Sequence, residues 1–142
     1  NNFTSVSYSP NGSLYLVNTA TLSGLTTWNN GDVLGFALDL DNDNFFVSKN
    51  GTFFSNGEGT QDPVTGANPL YFTGELSSHK DLDGFVPAVQ LYNDKVFSAD
   101  FGQHGFAYTP PTGFKAISLT PGLNSSFICK VTTSPDELIK DT

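Results

Sequence analysis

Gly31–Gly51 reads GDVLGFALDLDNDNFFVSKNG, two apolar runs joined by a turn of alternating acids and amides. Val33–Leu38 carries no charge, so a strand there must be covered on both faces. Leu34, Phe36, Leu38 and Leu40 share one side, and Val33, Gly35 and Ala37 share the other. The larger set is expected to face a core, while Gly35 and Ala37 suit a face that another layer approaches closely. Asp41, Asn42, Asp43 and Asn44 accept turn conformations and hydrogen-bond their own backbone, so the chain reverses into a second strand, Phe45–Lys49. Asn50-Gly51 then ends that strand with the dipeptide most typical of a tight hairpin.

Working outward, Ser5–Tyr8 alternates polar and apolar, Pro10-Asn11-Gly12 turns it, and Ser13–Asn18 reads as its partner strand. Thr19–Asn30 reads as a loop anchored by Leu22 and Leu25, ending at the chain's single tryptophan, Trp28. Ser55–Gly84 is rich in Gly and Pro, longer than the roughly 12 to 15 residues usual for an unstructured loop, and has one apolar patch at Leu70–Phe72 that suits a small extra strand. Phe85–Leu91 and Lys95–Phe101 are expected to pair as a hairpin across Tyr92-Asn93-Asp94. Pro110-Pro111 donates no ladder hydrogen bonds, so 106–113 should wrap the sheets as an edge or loop. Phe114–Leu119 and Ser126–Thr132 read as strands, and Ser134-Pro135-Asp136-Glu137 has the form of a helix start.

GDVLGFALDLDNDNFFVSKNG resembles the core of a SPRY domain: a Gly-Asp, an apolar strand running into Asp-Leu-Asp, a turn, a second strand and an Asn-Gly. A second block, FVPAVQLYNDKVFSADFGQHGFAYTPPTGFKAIS from Phe85 to Ser118, resembles the family's later signature, in the form associated with bacteriophage structural proteins. The resemblance covers Val6 to Ser118 and implies an all-β fold, an antiparallel two-sheet β-sandwich of the concanavalin-like kind, over residues 1–120. It implies that residues 121–142 form a C-terminal extension leading out of the domain. The family's first strands should precede Tyr8. With Asn1-Asn2 at the start and no Met, the expectation is that this is the C-terminal part of a larger chain lacking its N-terminal strands.

Composition narrows the function. At 142 residues and 37% hydrophobic the chain suffices for one core, and thirteen Phe with five Tyr supply much of its apolar area. All six basic residues are Lys and the formal charge is -8, which opposes phosphate backbones, so no nucleic-acid partner is expected. No apolar run reaches the roughly 20 residues that span a bilayer, so no membrane insertion is expected. Cys129 stands alone, which leaves no intrachain disulfide, and reads as a small buried residue.

Asp39, Asp41 and Asp43 invite a calcium loop, but an EF-hand starting at Asp39 needs Gly and Glu where this chain has Asn44 and Asn50, so turn chemistry is the preferred reading and no metal is assigned. The Glu residues, Glu58, Glu75 and Glu137, fall outside the expected core strands, and no facing carboxylate pair about 5 to 9.5 Å apart is nameable. No Gly-x-Ser-x-Gly elbow accompanies His79 and His104. The chain therefore reads as no enzyme and as needing no cofactor.

The expected function is non-catalytic: a binding and structural module of a virion protein, a bacteriophage tail fibre, spike or head-surface component, presenting loops to a receptor or partner. Its partners would be other virion chains or a host surface receptor, protein or glycan, with the module part of a homo-oligomer. A carbohydrate-binding lectin and an intracellular SPRY adaptor that binds peptides are the alternatives. The candidate contact residues are Trp28, Asn29 and Asn30; Asn68, Leu70, Tyr71 and Phe72; His79, Lys80 and Asp81; Tyr92 and Asn93; and Gln103 and His104.

Overall fold

The computed structural model describes residues 5–16, 19–71, 87–90, 96–102, 104–116 and 125–132. Its strands in chain order are β1 (Val6–Tyr8), β2 (Leu14–Leu16), β3 (Thr19–Leu22), β4 (Val33–Asp39), β5 (Asn44–Lys49), β6 (Thr52–Phe53), β7 (Leu70–Tyr71), β8 (Val96–Asp100), β9 (Lys115–Ala116) and β10 (Ser125–Thr132). The protein is all-β, with no helix among the described residues. One sheet runs β1-β2-β3; the other runs β6-β5-β4-β10-β8, with β7 beside β5 and β9 beside β10. Every pairing is antiparallel except the short β9·β10 ladder.

The hairpin read from Gly31–Gly51 is present in full register: Phe36 faces Val47, Ala37 faces Phe46 and Leu38 faces Phe45. Its turn is built by Asp39, whose Oδ1 accepts the backbone N–H groups of Asp41 and Asn42 at 3.1 and 3.2 Å, while Oδ2 accepts the Asn42 amide at 2.7 Å. Asp43 takes the left-handed conformation (φ 58°) that Asp tolerates better than most residues. Asp39 thus shapes the turn, and no group of three His, Cys, Asp or Glu residues suited to a metal occurs among the described residues.

Strand alternation sends Phe45 and Val47 to one face, where they form a single cluster with Leu14, Leu25, Phe54 and Leu70; Phe36, Leu38 and Leu40 pack against it half-buried. Val6, Tyr8 and Leu22 of the smaller sheet pack there too, with Tyr8 stacked on Phe54 at 5.7 Å and Phe36 stacked on Phe45 at 5.9 Å. The Tyr8 hydroxyl donates to the Thr26 carbonyl, and burial pushes its pKa up to about 12. Leu34 is buried but lies outside this cluster. On the opposite face Phe46 is fully buried and meets Phe114 edge-on at 6.4 Å. The 108–111 segment crosses Gly35, Ala37 and Ser48, so the small residues of β4 do admit a close layer, and that layer is an irregular strap.

Several expectations are corrected. Thr19–Leu22 is a strand paired with β2 rather than a loop. Residues 87–90 carry no strand, Pro87 having no N–H to donate, and the described partner of β8 is β10; Phe85, Val86 and Leu91 of the expected strand lie outside the described residues. The strand expected at Ser126–Thr132 is present as β10, and it runs between β4 and β8, pairing on both edges. The Tyr92-Asn93-Asp94 turn and the helix start at Ser134 lie outside the described residues, as does the Cys129 side chain.

One side chain completes a ladder. Along its outer edge β5 pairs with β6 at Ser48 and Lys49 and with β7 at Asn44 and Phe45, leaving Val47 between them without a strand partner. The Gln61 amide fills that place: Oε1 accepts the Val47 N–H at 2.9 Å, while Nε2 donates to the carbonyls of Val47 at 3.3 Å and Phe54 at 2.8 Å. Gln61 is only 3% exposed, so these backbone groups have little access to water without it. Replacing Gln61 by Leu strands the Val47 N–H and carbonyl, while the Phe54 carbonyl keeps the backbone N–H of residue 61 at 3.3 Å; with two buried groups unpaired at about 1–3 kcal/mol each, a loss of about 3 kcal/mol is expected. Urea unfolding should show this as a lower midpoint at unchanged m-value.

Candidate functional site

Asn50-Gly51 makes a two-residue hairpin between β5 and β6 with both corners left-handed, φ 51° and 80°, the conformation for which this dipeptide is suited. Two other segments are tied to this turn. Asn50 Oδ1 accepts the Val33 N–H at 2.8 Å, its Nδ2 donates to Asp32 Oδ1 at 2.8 Å, and its backbone N–H donates to the Val33 carbonyl at 2.8 Å. The second Asp32 oxygen accepts the Asn29 N–H at 2.8 Å and lies 3.4 Å from Lys49 Nζ, which also donates to the Thr27 carbonyl at 2.9 Å. The Asn29 N–H bond, then the Asn50 amide, hold the Asp32 carboxyl below the ordinary carboxylate range, with the Lys49 charge adding to them against a small opposing desolvation.

The 28–32 loop rises from this clamp. Asp32 N–H donates to the Asn29 carbonyl at 3.2 Å, and Gly31 at φ 86° occupies the third position, so Asn30 and Gly31 are the corners of a type II turn. Below it, Leu25 N–H donates to Gly12 and Trp28 N–H to Pro10, laying the approach to the loop along the β1–β2 turn. The Trp28 ring meets Phe97 edge-on at 6.4 Å; its Nε1 is buried and finds no acceptor among the described residues.

From the other side comes the strap. The Tyr108 ring lies so close over Gly51 that a Cβ there would sit 2.5 Å from Tyr108 Cδ1, so this position requires glycine for space as well as for φ. Tyr108 remains 39% exposed. The cavity between the strap and β4 to β6 holds about 30 Å³, water-sized and far below the roughly 300 Å³ at which small-molecule pockets begin. Asn29, Asn30, Asn50 and Tyr108 are all exposed at this end.

The expected contact residues separate under this geometry. Asn29 and Asn30 are exposed at the loop tip, whereas Trp28 is half-buried against Phe97. Leu70 is fully buried in the core cluster, so it is a packing residue and is withdrawn as a contact. Asn68 is turned inward in part, at φ 50° with Nδ2 donating to the Thr60 carbonyl at 2.9 Å, where it holds the 55–69 loop. Tyr71 pairs through its backbone with Asn44, and His104 is exposed. No hydrogen bond or ring contact among the described residues joins Asn68 or His104 to the 28–32 loop. Phe72, His79, Lys80, Asp81, Tyr92, Asn93 and Gln103 lie outside the described residues.

Four residues of the clamped end, Asp32, Lys49, Asn50 and Tyr108, were not among the expected contacts. Asn50-Gly51 signalled the turn, but nothing in the local pattern signals that its amide reaches a carboxylate 18 positions earlier. Asp62 is likewise held in its ionised form, first by the Thr65 hydroxyl and then by the Val64 N–H, in a turn of its own. Both acids are engaged in shaping turns, the opposite of a carboxyl kept protonated for general-acid chemistry. No family model matches the sequence, and comparison with curated proteins and with solved structures also finds no match.

A carboxyl with a folded pKa below its unfolded value adds stability that is present above the unfolded value and lost as pH falls toward the folded one. The stability gap between wild type and Asp32→Ala should thus be widest at neutral pH and narrow as pH drops below about 4. Denaturant titrations at neutral and acid pH check this; a gap independent of pH would show that the carboxylate charge is not what holds the clamp.

Proposed function

We propose that this chain is a non-catalytic binding and structural module of a virion protein, a bacteriophage tail fibre, spike or head-surface component. Its two sheets form the concanavalin-like sandwich to which the SPRY resemblance points, with loops at one end engaging a receptor or partner chain. The virion placement rests on the residues that carry the resemblance, GDVLGFALDLDNDNFFVSKNG and the Pro110-Pro111-Thr112-Gly113-Phe114-Lys115-Ala116 run after Asp100-Phe101-Gly102.

The observation that carries the binding role is the clamped end. A rigid base of Asp32, Lys49 and Asn50 holds two irregular segments, so Asn29, Asn30 and Tyr108 are presented without further ordering. Preorganised loops bind at lower entropic cost, and exposed amides beside a tyrosine ring suit hydrogen-bonding partners such as glycans or peptide backbone.

Two measurements test this. Mass spectrometry of particles from the source of this reading frame should detect the tryptic peptide Val96–Lys115, and its absence from purified particles overturns the virion placement. Soluble module should compete with those particles for adsorption, and a variant combining Asn29→Ala, Asn30→Ala and Tyr108→Ala should lose the competition while still unfolding cooperatively, its midpoint lowered only by the lost packing of Tyr108 on Gly51. Undiminished competition by that variant would remove the clamped end from recognition.

A further inference from the structure

The sequence contains four Asn-Gly dipeptides, at Asn11, Asn30, Asn50 and Asn56. This pairing is chemically special because glycine lacks a side chain that would hinder attack of its own backbone nitrogen on the preceding side-chain amide. The structure treats the four unequally. Asn11 Oδ1 accepts bonds from the Ser9 hydroxyl and, at 3.1 Å, from the Ser13 N–H, while the Gly12 N–H is donated to the Ser9 carbonyl at 3.1 Å. Asn50 is held at both ends of its amide, by Val33 and Asp32, and Gly51 lies under the Tyr108 ring. Asn56 donates Nδ2 to the Pro69 carbonyl at 3.0 Å and accepts the N–H groups of Glu58 and Gly59, and the Gly57 N–H is donated to Ser55 Oγ at 3.1 Å.

Asn30-Gly31 has none of these restraints. Both residues are exposed, neither the Asn30 amide nor the Gly31 N–H makes a hydrogen bond among the described residues, and nothing lies within 4 Å of where a Gly31 Cβ would be. We propose that Asn30 is a self-modification site, the one Asn-Gly of the folded chain left free to deamidate. The deprotonated Gly31 nitrogen attacks Asn30 Cγ, forming the N–C bond of a succinimide as ammonia leaves. Water then adds to either carbonyl of the ring, yielding aspartate or isoaspartate, so the net change is water consumed and ammonia released. The product places a new negative charge two residues from Asp32, and the isoaspartate form adds a backbone methylene at a turn corner. The exposed tip of the 28–32 loop is thereby altered with time while the other three turns keep their amides. This chemistry stands whether or not the loop binds a partner.

The test incubates the intact folded chain in mildly alkaline buffer and follows amide-to-acid conversion at all four sites by fragment-resolved mass spectrometry, with isoaspartyl methyltransferase labelling to identify the isoaspartate. Asn30 should convert at least about fivefold faster than Asn11, Asn50 or Asn56, the factor that one net hydrogen bond of about 1 kcal/mol confers. In denaturant, where these bonds are absent, the four rates should converge. Folded-state conversion of any of the other three at the rate of Asn30, or the same spread of rates with and without denaturant, overturns the proposal.

Discussion

The antiparallel pairing of Val33–Asp39 with Asn44–Lys49 is the constraint from which the remaining packing follows. Its register sets Phe45 and Val47 on one face and Phe46 and Ser48 on the other. A one-residue slip would exchange those faces and remove both coverings together. One face closes over Leu14 and Leu25 from the smaller sheet and its following loop; the other closes under an aromatic and proline-rich strap that ends at Phe114. Gly35 and Ala37 leave room for that strap because they have almost no side chain, so the small and large residues of one strand specify two different neighbours.

A strand buried on both faces still needs its edges satisfied, and here the solution mixes backbone with side chain. β10 pairs with the inner edge of β4, while the outer edge of β5 is met in turn by β6, the Gln61 amide and β7. A primary amide carries one acceptor and two donors, which lets Gln61 stand in for a paired residue at Val47 and tie the same point to Phe54. The 55–69 loop is thereby part of the sheet's hydrogen bonding, and its internal bridges, Ser55 with Thr60 and Asp62 with Ala67, hold the amide in place.

The same economy shapes the end of the sheet at Asn50-Gly51. Asp32 uses both carboxylate oxygens to join the 28–32 loop to the hairpin, and the Gly51 surface receives Tyr108. Hydrogen bonds that fix the shape of this end also decide which amides are chemically quiet. Asn50 is held on both sides and Asn30, at the far corner of the neighbouring turn, is held on neither, so structural restraint and chemical susceptibility are two readings of one bonding pattern.

By itself the sequence determined the all-β class, the central hairpin and its turn, the short strand at Leu70, a face of β4 small enough for a close layer, and a Pro-Pro segment kept out of the ladders. These depend on period-two alternation, turn residues and the missing N–H of proline, which act within a few positions. Tertiary structure alone decided that residues 125–132 enter the sheet beside β4, that Leu70 serves the core and not a surface, and that Gln61, Asp32, Asn50 and Tyr108 meet their partners. A strand's place in a sheet and an amide's choice of acceptor are set by contacts between residues far apart in the chain. Local composition carries no record of those distances, so an Asn in a tight turn reads the same whether its side chain is clamped or free.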